Sequence, residues 1–152
     1  MKADSAVARR FLDRSMVVRL ATLSAQGQPH ITPLWFVSDG RRVYVTTRNA
    51  SLAARDVTAT RQVVMLFHGE RAAGPARVLR VAGRAQSGRR LRLSVLLRFA
   101  LKYHLSPGGL RNLAGGLRTV PARVRYYAER YGEAGVIEVS PESAGFLPGT
   151  PV

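Results

Sequence analysis

Residues 16–66 read MVVRLATLSAQGQPHITPLWFVSDGRRVYVTTRNASLAARDVTATRQVVML, and the order of elements in this stretch decides the fold. Val17 to Leu23 is short, apolar and rich in β-branched residues, which pack well on a pleated surface. Ala25-Gln26-Gly27-Gln28 supplies a turn whose glycine takes positive φ without steric cost, and Ile31 to Val37 runs back as a second strand. Ser38-Asp39-Gly40 is a second turn, of the Asp-Gly kind, and Val43 to Thr47 alternates as a third antiparallel strand. Ser51 to Ala59 reads as a helix with Asn49 or Ser51 as its N-cap, and Val63 to His68 as a fourth strand.

Outward from this stretch the pattern continues. Ala3 to Arg14 carries Ala6, Val7, Phe11 and Leu12 at helical spacing and is expected to pack over one end of the sheet. A Gly/Pro loop, Gly69 to Pro75, leads to a strand over Arg77 to Ser87. Arg89 to His104 places Leu91, Val95, Leu96, Phe99 and Tyr103 on one side and Arg92, Arg98 and Lys102 on the other, a basic amphipathic helix. Its apolar run is too short to span a bilayer, which needs about 20 residues. The pattern suits an anionic membrane surface, but packing on the barrel or on a partner subunit explains it as well and is preferred. Ser106-Pro107-Gly108-Gly109 breaks that helix; Leu110 to Leu117 and Arg118 to Tyr131 are expected to add further helical turns, and Val136 to Glu142 a closing strand. One domain over residues 1–152 is expected, with a helical insertion around 89–132.

The chain has no cysteine, which removes disulfides and thiolate chemistry, and its histidines, His30, His68 and His104, fall in no metal-ligand spacing. The nine acids form no convincing pair and join no Ser-His-Asp set, so a hydrolase would have little to work with. Met1 to Arg14 carries Asp4 and Asp13 and no continuous apolar core, so a cytoplasmic protein is expected. Net charge is +15, and Arg71 to Ala128 holds 13 Lys or Arg and no acid. Such a field concentrates phosphates, carboxylates, nucleic acid or anionic lipid. Because 22 of the 24 basic residues are arginine, high-GC codon usage accounts for the bias equally well.

Several pieces together resemble the FMN-binding split β-barrel superfamily, the pyridoxamine 5'-phosphate oxidase-like flavin- and deazaflavin-dependent oxidoreductases. They are Leu20-Ala21-Thr22 before the Gly27 turn, His30-x-x-Pro33-x-Trp35-Phe36, Tyr44-Val45-Thr46-Thr47, then Ser51 and Arg55 on the helix. Leu79-Arg80-Val81-Ala82-Gly83-Arg84-Ala85 is similar to a later barrel strand of that family and Val136 to Glu142 to its closing strand, whereas Arg89 to Gly132 lies outside the resemblance. The resemblance implies an antiparallel split β-barrel with flanking helices, mainly β within the α+β class. It also implies a homodimer with cofactor sites at the subunit interface, and a flavin or deazaflavin that carries hydride in its own ring.

On that resemblance Thr32, Pro33, Leu34 and Trp35 match the segment whose backbone lines the flavin ring, with Trp35 read either as a ring contact or as filler of the barrel or dimer core. Thr46, Thr47, Arg48, Ser51 and Arg55 are the phosphate candidates, where hydroxyls, guanidinium groups and helix N-terminal amides converge; the competing reading is an ordinary solvated helix start. Many relatives carry lysine two residues after the serine, where this chain has Ala53. With the acid-free basic region, that departure favours the deazaflavin coenzyme F-420 narrowly over FMN. His30, alone beside a turn, reads as structural, and Arg80 and Arg84 as an outward solvated pair. The expected function is hydride or electron transfer to a small organic substrate. The alternatives are a flavin- or haem-binding protein without catalysis, haem needing a histidine or tyrosine ligand, and a basic nucleic-acid-binding module.

Overall fold

Alternating side chains, turn glycines and two capped helices build the structure, a computed structural model that describes residues 6–68, 78–88, 92–103 and 134–147. The strands are β1 (Val17–Leu23), β2 (Pro29–Ser38), β3 (Val43–Arg48), β4 (Gln62–His68), β5 (Val78–Gly88) and β6 (Ala134–Leu147). They pair antiparallel and close into a barrel in the order β1-β2-β3-β6-β5-β4. Gly27 at φ 79° and Gly40 at φ 89° make the first two hairpins, in the left-handed region that a glycine enters without strain. The expected β1 is matched residue for residue, and β2, β3 and β4 run one to two residues beyond their expected limits.

Inward positions alternate down every strand. Val18, Leu20, Phe36, Val45, Met65, Phe67, Leu79, Ile137 and Val139 are all fully enclosed, each contributing about 1.5–3 kcal/mol relative to exposure. Helix α1 (Ala6–Arg14) lays Phe11 and Leu12 on this core, Phe11 edge-on to Phe146 at 5.4 Å. Ser15 ends it, donating from its hydroxyl to the carbonyls of Phe11 and His68. Helix α2 (Leu52–Thr60) begins at Ser51, whose Oγ accepts from the Ala54 N–H at 3.1 Å, so Ser51 and not Asn49 is the N-cap. It ends on Arg61, which takes a left-handed φ of 55° and donates to the Val57 carbonyl.

β6 begins two residues before the expected Val136 and runs past Glu142, where the sequence pattern stops, to Leu147. The register slips here: Ala82 of β5 pairs with Ser143 and Gly83 with Pro141, so Glu142 is the extra residue of a bulge on β6. A ladder interrupted at that point tolerates a residue with no N–H.

Helix α3 (Leu93–Tyr103) lies within the expected Arg89–His104: Arg92 precedes its first turn, and residues 89–91 and 104 lie outside the described residues. Val95 and Tyr103 are its buried residues. The Tyr103 hydroxyl accepts from the Phe36 N–H at 2.9 Å and donates to the Met16 carbonyl at 2.7 Å, linking the ends of β1 and β2. The loop at 69–75 and the expected helices over 110–117 and 118–131 also lie outside the described residues. No helix among the described residues is long and apolar enough to cross a membrane.

Candidate functional site

The barrel is split between β2 and β3. Those strands pair only at Phe36–Val45, Val37–Tyr44 and Ser38–Val43. Beyond that zip, residues 29–35 of β2 pair with β1 alone, and Thr46, Thr47 and Arg48 of β3 pair with β6 alone, among the described residues. Two backbone edges therefore diverge there, not paired with each other among the described residues. Thr32, Pro33, Leu34 and Trp35 lie on one and Thr46, Thr47 and Arg48 on the other. Pro33 sits on a strand with one neighbour, the setting in which a missing N–H is harmless.

Cross-strand register sets which way each side chain points. His30, Thr32 and Leu34 lie opposite Thr22, Leu20 and Val18 and share their inward face, whereas Ile31, Pro33 and Trp35 are exposed outside. Trp35 is thus not barrel filler: it stacks on Tyr103 at 4.7 Å, with 12° between the rings, and stays 45% exposed.

At the opposite edge the chain turns from β3 into α2. Thr47 Oγ1 donates to Ser51 Oγ at 2.8 Å, so this hydroxyl pair ties the strand end to the helix cap. The Arg55 N–H bonds the Ser51 carbonyl and the Ala54 N–H bonds Ser51 Oγ, leaving the N–H groups of Leu52 and Ala53 without a hydrogen bond among the described residues. Arg55 is exposed one turn along α2. This corner can bind an anion through helix amides, two hydroxyls and a guanidinium group.

A third cluster joins the two edges. Asp56, on the buried side of α2 beside Ala53 and Val57, is 4% exposed. Its Oδ2 accepts from Thr22 Oγ1 at 2.7 Å and lies 2.8 Å from His30 Nδ1. Burial pushes the Asp56 carboxyl up, but the hydrogen bonds from Thr22 and His30, with the charges of His30 and Arg55, outweigh it and hold the group below its ordinary range.

The model of the pyridoxamine 5'-phosphate oxidase family matches residues 5–90, more than half of the chain. The chain belongs to that family. No curated protein matches the sequence. Among solved structures, a conserved protein of Mycobacterium tuberculosis has a TM-score of 0.66 at 19% identity, covering 100% of this chain and 96% of its own. An F-420 reductase has 0.63 at 20%, covering 90% and 94%. HutZ, the haem storage protein of Vibrio cholerae, has 0.62 at 18%, covering 97% and 94%. At such identities these likenesses establish the shared fold.

Within this family fold, the sequence placed its candidates on the two sides of the split and missed the residue between them. Asp56 carried a signal: an acid in the apolar stripe Ala53-Ala54-Val57 of a short helix has to find partners. Its partners depend on β1–β2 register, which sets Thr22 opposite His30. Arg80 and Arg84 point outward as expected, and Arg84 Nε reaches Glu142 at 3.1 Å. A separate cavity of about 380 Å³ lies under α1 beside the β2–β3 turn, lined by Arg9, Leu12, Arg41, Val43, Leu79 and Glu142. It contains none of the sequence candidates, and it sits by the zipped end of β2 and β3.

Proposed function

We propose that the protein is an oxidoreductase that holds a deazaflavin or FMN in the split between β2 and β3 and transfers hydride or electrons to a small organic substrate. The observation that carries this reading is the pair of divergent strand edges, one of which runs into the α2 cap, in a chain of the pyridoxamine 5'-phosphate oxidase family. The bound ring would supply the hydride chemistry. The residues' part is to bind and orient it. Backbone groups of Thr32 to Trp35 line a planar ring, while Thr46, Thr47, Arg48, the Ser51 cap and Arg55 receive its phosphate. F-420 is favoured over FMN because Ala53 stands where a lysine is common and because the basic stretch from Arg71 to Ala128 suits a longer anion.

The same reading makes the protein a homodimer. The outer face of β2, β1, β4 and β5 aligns Ile31, Ala21, Val64 and Ala82 in one row and Pro33, Arg19, Leu66 and Arg80 in the next. Ile31 is 63% exposed there, and a second copy would cover this largely apolar surface. The helical stretch around 89–132 is the proposed source of substrate-pocket residues.

The test is a fluorescence titration of salt-washed protein against FMN and F-420 side by side. Micromolar or tighter binding of one is expected, and Arg55→Ala should weaken it by about 1–3 kcal/mol through loss of a charged hydrogen bond. Binding of neither overturns the reading. Unchanged affinity in folded Arg55→Ala removes Arg55 from the phosphate site.

A further inference from the structure

Asp56 is the one buried acid among the described residues, and the fold has placed it where it holds a histidine. An ionised carboxylate only accepts hydrogen bonds. Oδ2 therefore accepts hydrogen bonds from the Thr22 hydroxyl and from an N–H at His30 Nδ1, at 2.7 and 2.8 Å. That assigns the neutral ring its tautomer: Nδ1 carries the hydrogen and Nε2 the lone pair. Nδ1 is the only ring atom of His30 with a hydrogen bond among the described residues, and the side chain is 26% exposed. His30 stands on the unzipped part of β2, on the same face as Thr32. A histidine kept only for packing has no need of a buried charge behind it, since that charge costs free energy wherever it is not used.

We propose that Thr22, Asp56 and His30 form a relay that presents His30 Nε2 at the split as the proton-handling contact to a bound ligand. The matching ligand chemistry is a heterocyclic imide N–H, common to flavins and deazaflavins, which donates to Nε2; once protonated, Nε2 becomes a donor to a ring or acceptor oxygen instead. Asp56 and Thr22 act through His30 and are positioning residues. Asp56 on α2 is the group bonded to the ring, with Thr22 on β1 bonded to Asp56 and the charge of exposed Arg55 acting on that carboxylate. This inference rests on the proposed cofactor reading and names the contact within it.

The test is long-range proton–nitrogen NMR of the three imidazoles in uniformly 15N-labelled protein at pH 7.5, with His30 assigned from the His30→Gln spectrum. The free protein is expected to show His30 protonated at Nδ1 and bare at Nε2. Saturation with whichever of FMN or F-420 binds by fluorescence should shift the Nε2 resonance. His30→Gln should weaken that binding about fivefold to thirtyfold, as for loss of one buried hydrogen bond. Asp56→Asn should abolish the tautomer preference; if it does not fold, Thr22→Val, which removes only the second bond to the carboxylate, should reduce it. A free protein whose neutral His30 carries its hydrogen on Nε2 and is bare at Nδ1 overturns the relay. A saturating cofactor that leaves Nε2 unmoved overturns the ligand contact. Binding of neither cofactor overturns the parent reading and the contact with it, while the tautomer in the free protein still decides the relay.

Discussion

Asp56 shows what one residue can decide, because its burial and its hydrogen bonds act in opposite directions and the hydrogen bonds prevail. A carboxyl held below its unfolded value stabilises the fold fully above the unfolded pKa and loses that contribution as pH falls through the folded one. At pH 7 Asp56→Asn should therefore cost about 1–3 kcal/mol, since Thr22 and His30 lose a charged acceptor. In urea unfolding the gap between wild type and variant should narrow once pH drops below the ordinary carboxylate range. A gap that holds constant or widens on acidification would contradict the ionised, doubly bonded carboxylate. By contrast, the Arg84–Glu142 pair is exposed on both sides and adds little, because solvent screens it.

Elements depend on a few contacts that bind one to another. Tyr103 attaches α3 to the barrel by placing its hydroxyl between Phe36 and Met16, where β1 and β2 stop pairing directly. Tyr103→Phe leaves the Phe36 N–H and the Met16 carbonyl without that partner. It should lower stability by about 1–3 kcal/mol with an unchanged denaturant slope. A midpoint equal to wild type would mean that the hydroxyl is dispensable. Between β5 and β6 two glycines make a paired experiment. A Cβ at Gly83 would collide with the Ser140 carbonyl and approach Pro141 Cα to 3.1 Å, whereas a Cβ at Gly145 meets nothing within 4 Å. Gly83→Ala should cost about 1–3 kcal/mol and Gly145→Ala less than about 0.5. Equal thermal midpoints for the two would argue against the bulge.

For the molecule as a whole, the outer sheet face and the charge pull in opposite directions. The net charge of +15 repels a second copy, while the apolar row through Ile31, Ala21, Val64 and Ala82 attracts one. Sedimentation velocity at physiological salt should find a dimer at micromolar concentration. Ile31→Glu, a charge placed on that face, should give a monomer with wild-type far-ultraviolet circular dichroism. Wild-type protein that sediments as a monomer at tens of micromolar would remove the dimer from the reading. Lower salt should loosen the wild-type dimer, because like charges are then less screened.

Local chemistry determined most of the outline. Glycines at 27 and 40 can take positive φ and do, alternation marks the strands from Val17 onward, and Ser51 is able to cap α2. Those signals are legible because each depends on residues within a few positions of one another. Tertiary structure alone decided where β2 and β3 part, that Trp35 faces outward against Tyr103, that β6 continues beyond Glu142 to Leu147, and that Thr22, Asp56 and His30 meet. Each of these rests on register between strands far apart in the chain. A slip of one residue would turn every side chain of a strand to the other face, and no local preference specifies that choice. The candidate residues were therefore readable as types at the right places along the chain, whereas the arrangement that brings an acid behind a histidine appears only when the barrel closes.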